Sequence, residues 1–478
     1  MKKVSTKSLY LIAVISIGLI GLAVGSTYAM FTASAEINNP ITISSNLTSN
    51  ADVMETFEVE IEPYRTVTKT IVINNGNVSN VNYGIWYLNN VDGVEIGILS
   101  ATDTVTGTIN DSGLSVTTNI VFRNNSTVRK NVTLGIATSK NSIVLASNMT
   151  LVPETVVSEI NTFSEYITNM YNNSTKTSVT NNSVTYNYAT SKKLMKDVGN
   201  NIRYYGASPS NYVYFNCSDY ANQSSSTCET WRIIGVFGGK VKIMRGSQIG
   251  SYSWDNKNTS TGAETNNGKN DWTDARLMKL LNPGYSGTGG SLYYNSGSGS
   301  CYSGQNNATT TCNFTSTGLK NDDTRNMIVT TSWPLLGWST PSVYTNTMYN
   351  YERTSGKVYS GRPKTWTGRI AIPYASDYGY AVDFSKCVDK YIWDYDNSTC
   401  TANNWMKSLI TSSNLWLLNP YSEASYGAFY VHTKGYLDYY YNDTPYGPHG
   451  IIPTLYLNNT TVVWSGTGTS SSPYKLYS

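Results

Sequence analysis

Apolar and polar residues alternate along the first third of the chain. Phe57, Val59 and Ile61 are interleaved with Glu58, Glu60 and Glu62. A side-chain period of two gives a strand one apolar and one wetted face. Val132, Leu134 and Ile136 repeat the pattern, and further strand-like runs fall at 66–73, 81–88, 116–122 and 143–145. Turn formers separate them: Asn74-Asn75-Gly76, Asp92-Gly93 and Asp111-Ser112-Gly113. Short strands punctuated in this way predict an all-β sandwich over residues 36–150. A different period follows. Val156, Ile160, Phe163, Ile167 and Met170 are spaced four, three, four and three apart, one stripe of a helix, with Pro153 and Glu154 at its start. Residues 172–188 are rich in Asn, Ser and Thr and read as a loop or linker. The stretch 151–195 is therefore expected to be an amphipathic helix and a linker.

Beyond about residue 196 the texture is mixed, which predicts an α+β domain over 196–478. Residues 212–215 and 230–237 are strand-like, and Gly238-Gly239 joins the second to 240–244 as a hairpin. Residues 271–281 form a candidate helix stopped by Asn282-Pro283-Gly284, and 321–329 a second. The rest is long Gly-, Ser- and Tyr-rich loop, the kind of segment that carries recognition or needs crosslinks. Six cysteines supply these as three close pairs: Cys217 with Cys228, Cys301 with Cys312, and Cys387 with Cys400. Close, even spacing favours disulfides, and no pair has zinc-ligand spacing.

Charge and composition narrow the function. Of the 478 residues only 14% are charged, and the net charge is +3, so nothing suggests a nucleic-acid partner. Lys2, Lys3 and Lys7 precede an apolar, uncharged run from Leu9 to Ala29, and Ala33-Ser34-Ala35 has the form of a cleavage site. Residues 1–35 therefore read as a signal peptide or, if uncleaved, as a membrane anchor through residues 9–29. The charge order places the remainder outside, extracellular or in the cell envelope. The chain has two histidines, His432 and His449. No Ser/His/Asp set and no convergent acid pair is evident, so the chain does not read as an enzyme, and no cofactor or metal is expected.

Two stretches resemble known families. Residues 26–31, Ser-Thr-Tyr-Ala-Met-Phe, then Ile41-Thr42-Ile43 and Glu62-Pro63-Tyr64 leading to residues 68–76, look like the TasA/camelysin family of secreted biofilm-matrix proteins. That resemblance implies a jelly-roll-like sandwich and self-association by strand donation. Met30 stands where an aromatic or small residue is common in the family. Residues 196–478 resemble bacterial surface domains of the C-type-lectin-like fold, cousins of the formylglycine-generating enzymes. The resemblance rests on Trp231-Arg232-Ile233-Ile234-Gly235, Trp272, Trp366-Thr367-Gly368, residues 376–380, Trp416-Leu417-Leu418 and residues 450–457. Ile452 replaces the Arg of the usual closing Gly-x-Arg-Pro. Neither the calcium-sugar tripeptides of true C-type lectins nor a copper motif is present.

The C-terminal stretch carries the recognition reading. Between Tyr421 and Tyr446 lie eight Tyr and one Phe, set among Asn, Asp, Ser and Gly. Each buried phenol hydroxyl needs a partner, so many of these rings are expected at the surface, a composition like that of an antibody paratope. The candidate ligand-binding residues are Tyr421, Tyr426, Tyr430, His432, Tyr436, Asp438, Tyr439, Tyr440, Tyr441, Asn442 and Tyr446. The expected partner is an external glycan or protein, bound adhesin-like at the cell surface. The alternative is a structural subunit of a matrix or pilus-like fibre.

Overall fold

The computed structural model describes residues 41–44, 53–75, 78–89, 91–126, 128–158, 160–256, 268–440 and 448–477. Strands predominate, in several largely antiparallel sheets, and the chain divides into two compact units, Met1–Ile160 and Asn161–Ser478. The leader and cleavage-site expectations for residues 1–35 lie outside the described residues. No described helix is long and apolar enough to cross a membrane.

The first unit is built from two sheets. One runs in the order Ile41–Ser44, Thr66–Asn74, Ser115–Asn124, Val94–Ile98. The other runs Val53–Ile61, Lys130–Ser139, Val81–Leu88, Thr106–Ile109, with Met149–Leu151 also paired to Val81–Leu88. The alternation does what it predicts. Val59, Ile61, Ile85 and Leu134 from one sheet meet Ile71, Ile73, Ile120 and Phe122 from the other in a single core. Each such buried side chain contributes roughly 1.5–3 kcal/mol. Glu60 and Glu62 stay outside and pair with Arg129. One run is corrected: residues 143–145 form no strand, and Val144 is exposed. Pairing with Val81–Leu88 goes instead to Met149–Leu151.

The helix also starts later than expected. It spans Phe163–Asn172, set by a capping box in which Thr162 and Glu165 satisfy each other's backbone N–H groups. Two free N–H groups capped together outweigh a Pro153-Glu154 start. Val156 is exposed, and Thr155 and Val157 bond to Ile98 as extended chain. The buried stripe is Phe163, Ile167 and Tyr171.

Residues 172–188 are not a linker. Thr177–Asn181 and Val184–Ala189 form a hairpin. Asn182 and Ser183 turn it with φ of 48° and 59°, the paired left-handed conformation of a tight hairpin turn. This hairpin opens a nine-stranded sheet that continues through Leu194–Lys196, Ile202–Tyr204, Glu229–Phe237, Lys240–Arg245, Thr454–Tyr456 and Ile370–Ala371, with Tyr212–Phe215 off the side. The expected hairpin of residues 230–244 is its centre. A bulge between Ile233 and Gly235 shifts the alternation by one residue. Trp231, Ile233 and Val236 thus face one core, while Ile234 and Phe237 face a second on the other side. Gly235 is required there, because a Cβ would stand 2.0 Å from the Ile202 carbonyl oxygen. The two later helices are shorter than expected, Arg276–Leu281 and Asp322–Asn326.

A second sheet runs Ser251–Tyr252, His449–Gly450, Leu415–Pro420, Ala428–Val431, Leu437–Tyr440. All three expected disulfides are formed: Cys217–Cys228, Cys301–Cys312 and Cys387–Cys400. They fit an oxidising environment.

Candidate functional site

Two constellations stand out in the C-terminal unit, one dry and one wet. The dry one lies beneath the nine-stranded sheet. Alternation puts Ile202 and Tyr204 into one core, so Arg203 points to the other side, as does Lys242 between Val241 and Ile243. Both meet Asp377, in the Ala375–Tyr380 helix: Arg203 Nη1 at 2.9 Å from Oδ1 and Lys242 Nζ at 2.5 Å from Oδ2. Asp377 also accepts the Tyr374 N–H at 2.9 Å, and Arg203 Nε donates to Asp197 at 2.5 Å. Glu352 completes the group, pairing with Arg353 and accepting the Ser376 N–H at 2.7 Å. The Arg203, Lys242, Asp197, Asp377 and Glu352 side chains are at most 1% exposed. Burial pushes the Lys242 ammonium down to about 8, with Asp377 opposing. Burial alone would raise Asp377, but Lys242 and Arg203 outweigh it and hold the carboxyl below its ordinary value. This network is sealed from solvent and joins sheet to helix. It offers no reacting atom to a ligand.

The wet constellation is on the surface. Among the described residues of this unit, four large apolar side chains are exposed, and three of them, Val388, Tyr391 and Trp393, lie inside the Cys387–Cys400 loop. Their local sequence explains it. Ile392 (0% exposed) and Tyr395 (1%) anchor the loop in the core, and the Tyr395 hydroxyl bonds Thr345 Oγ1 at 2.9 Å. The short turn Ile392–Asp394 then carries Tyr391 and Trp393 outward on either side of Ile392. The Ile392 N–H bonds the Val343 carbonyl at 3.0 Å, which brings the Tyr344 ring to 4.3 Å from that of Tyr391. Trp393 packs 5.2 Å from Tyr436, and Tyr436 lies flat on His432 at 4.7 Å and 6°.

Carboxylates border these rings. The Tyr344 phenol is raised, first by its bond with Tyr391 and then by Asp389 and Asp394. Tyr436 is raised by burial and by Asp438 and Asp396. His432 is lowered by burial and Lys434, against Asp438. Its Nδ1 accepts the Lys434 N–H at 3.1 Å, consistent with a neutral ring. Among the described residues no three His, Cys, Asp or Glu side chains converge as metal ligands. The chemistry on offer is face-on contact with rings and hydrogen bonding to carboxylates.

The expected row of solvent-facing tyrosines is corrected by this arrangement. Tyr421 (1% exposed) and Tyr430 (6%) are core residues, and Tyr426, Tyr436 and Tyr439 are half-buried. Tyr421 stacks on Tyr439 at 4.3 Å and 10°. Tyr430 sits opposite Asp438 across the hairpin and donates to its Oδ2 at 3.0 Å. Several buried phenols find acceptors within the fold. Tyr374 donates to the Pro334 carbonyl at 2.8 Å and Tyr378 to that of Gly435 at 2.5 Å. Of the expected set, His432, Tyr436 and Asp438 reach the aromatic surface. Tyr440 ends the last strand of its sheet, and Tyr441, Asn442 and Tyr446 lie outside the described residues. Sequence reading missed Tyr344, Tyr391 and Trp393. The signal available was an aromatic pair at i, i+2 inside a disulfide-closed loop.

The crosslink shapes this loop. Replacing Cys387 and Cys400 together by serine is expected to cost about 3 kcal/mol and to open residues 388–399 to proteolysis. Unchanged stability and an unchanged digestion pattern would show that the loop holds its form without it. Comparison of the chain with protein-family models, with curated proteins and with solved structures found no match.

Proposed function

We propose that this is an exported surface-binding protein, adhesin-like, whose C-terminal unit recognises an external glycan through the surface formed by Trp393, Tyr391, Tyr344, Tyr436 and His432. One observation carries the reading: among the described residues of this unit, the exposed large apolar side chains are concentrated in one crosslinked loop. Apolar rings left in water cost free energy that a partner recovers by covering them. A disulfide and two buried anchors hold the rings in place beforehand, which lowers the entropy lost on binding. Flat rings bordered by carboxylates match the apolar faces and hydroxyl edges of sugars. The lectin-like resemblance of residues 196–478 points the same way. A glycan array probed with the whole chain should return saccharide ligands, and Trp393→Ala should weaken the best of them at least tenfold, about 1.4 kcal/mol. Capture of proteins and no saccharide would sink the glycan assignment.

A second reading, a matrix or fibre subunit, has one observation in its favour. Ile41–Ser44 pairs in parallel with residues 71–74 at the edge of the first unit's four-stranded sheet. A short edge strand can in principle be supplied by a neighbouring copy. Filaments by electron microscopy that disappear on deletion of residues 41–44 would favour this reading.

A further inference from the structure

The sign of the charge around the aromatic surface says more about its ligand. Residues 387–400 contain three carboxylates, Asp389, Asp394 and Asp396, and one ammonium, Lys390, a net of minus two in a chain whose total is +3. Asp438 and Lys434, on the adjoining hairpin, cancel. Burial and Lys434 lower His432, which holds the imidazole toward its neutral form. Asp394 and Asp396 are exposed, and among the described residues neither carboxylate has a hydrogen-bond or ion-pair partner within the protein. Asp394 follows Trp393 directly in the chain and Asp396 lies two positions further on; the first raises the Tyr344 phenol and the second that of Tyr436. An aromatic face presents its own negative quadrupole. Within this loop, rings and carboxylates thus attract the same ligand charge.

We propose that the ligand is an amino sugar with a free ammonium group, its ring lying on Trp393 or Tyr391 and its charge directed to Asp394 or Asp396. This rests on the glycan-binding reading above. A neutral sugar gains from the rings and from hydroxyl hydrogen bonds to the side-chain oxygens, which an amide would still accept. An ammonium-bearing sugar gains from rings and carboxylates together, and a simple cation lacks the apolar face. Because the site is at the surface, the charge contribution is screened by salt, whereas ring contact is not.

The test compares three probes on the whole chain by calorimetry: a glucosamine tetramer with its amines protonated, the same tetramer N-acetylated, and tetralysine. The glucosamine tetramer should bind at least tenfold tighter than the acetylated one at low salt, with the margin shrinking as salt is added. The doubly substituted Asp394→Asn, Asp396→Asn chain should lose that margin while keeping the residual affinity for the acetylated tetramer. Both positions are exposed, so the variant is expected to fold. Trp393→Ala should weaken both saccharides. Equal or tighter binding of the acetylated tetramer overturns the charge assignment and leaves the glycan reading standing. A margin that survives in the Asp variant, or tetralysine binding as tightly as the amino sugar, also overturns it. If neither tetramer binds, the amino-sugar proposal fails, and the array result decides the broader reading separately.

Discussion

Titrating the protein upward in pH should unfold its C-terminal unit steeply above about pH 10, with many phenols ionising together rather than one by one. The cause is the number of tyrosines whose hydroxyls are buried. Burial raises Tyr188, Tyr204, Tyr374, Tyr378 and Tyr380 well above their ordinary value of 10.0, and raises Tyr186 to about 12. The sign follows from proton counting. Below pH 10 both folded and unfolded chains hold these protons, and the stabilisation is complete. Above it the unfolded chain releases them while the folded chain cannot, so stability falls as the pH approaches each folded value. Each unit of displacement is worth about 1.4 kcal/mol per group, so a handful of such rings exhausts a typical margin. Lys242 acts in the opposite sense at lower pH. Its folded value, about 8, lies below the ordinary 10.5, so the unfolded chain binds the extra proton between them and stability climbs gently across that window. Absorbance of tyrosinate against pH, followed alongside circular dichroism, checks both. A smooth phenol titration completed near pH 10 with the fold intact would show that the rings are not buried as described.

The second large effect is expected at Asp377. Replacing it by alanine should destabilise the C-terminal unit by about 3–5 kcal/mol, read as a shift in the urea midpoint. The substitution leaves Lys242 buried with no counter-ion and removes a ligand of Arg203. It also frees the Tyr374 N–H at the start of the Ala375–Tyr380 helix. Most of the cost is that of stranded charge rather than lost attraction. Adding Lys242→Met to Asp377→Ala should therefore recover part of the loss, because an apolar chain of similar length fills the same space without a charge. A loss below about 1 kcal/mol for the single variant would mean that water reaches the network and screens it.

These two effects mark where local reading works and where it stops. Phe57, Val59 and Ile61 alternate with glutamates, and Val59 and Ile61 go inside as expected, because a single covered face is all that a sandwich strand requires. Residues 240–244 alternate too, Lys-Val-Lys-Ile-Met, which by the same rule is a strand with one wet face. There the rule fails for Lys242, because helices and a second sheet cover that side as well. Asn182-Ser183 turns a hairpin without the usual Asn-Gly pair, and the Asn-, Ser- and Thr-rich residues around it passed for a linker. In the Tyr-rich end the composition was plain, but the partners were not. Asp438 is eight residues from Tyr430, and the carbonyl that receives Tyr378 lies 57 positions away.

What the chain settled unaided were its short-range consequences: alternating strands of the first unit, the central hairpin of the second, and three crosslinks between cysteines 11 to 13 positions apart. These depend on neighbours within a dozen residues, whose geometry is nearly the same in any fold. Only the tertiary arrangement decided which tyrosines were dry, which charges were buried together, and that Trp393 would meet Tyr436. Such contacts join residues tens to hundreds of positions apart. Their free energy depends on what covers them, and local pattern does not encode that.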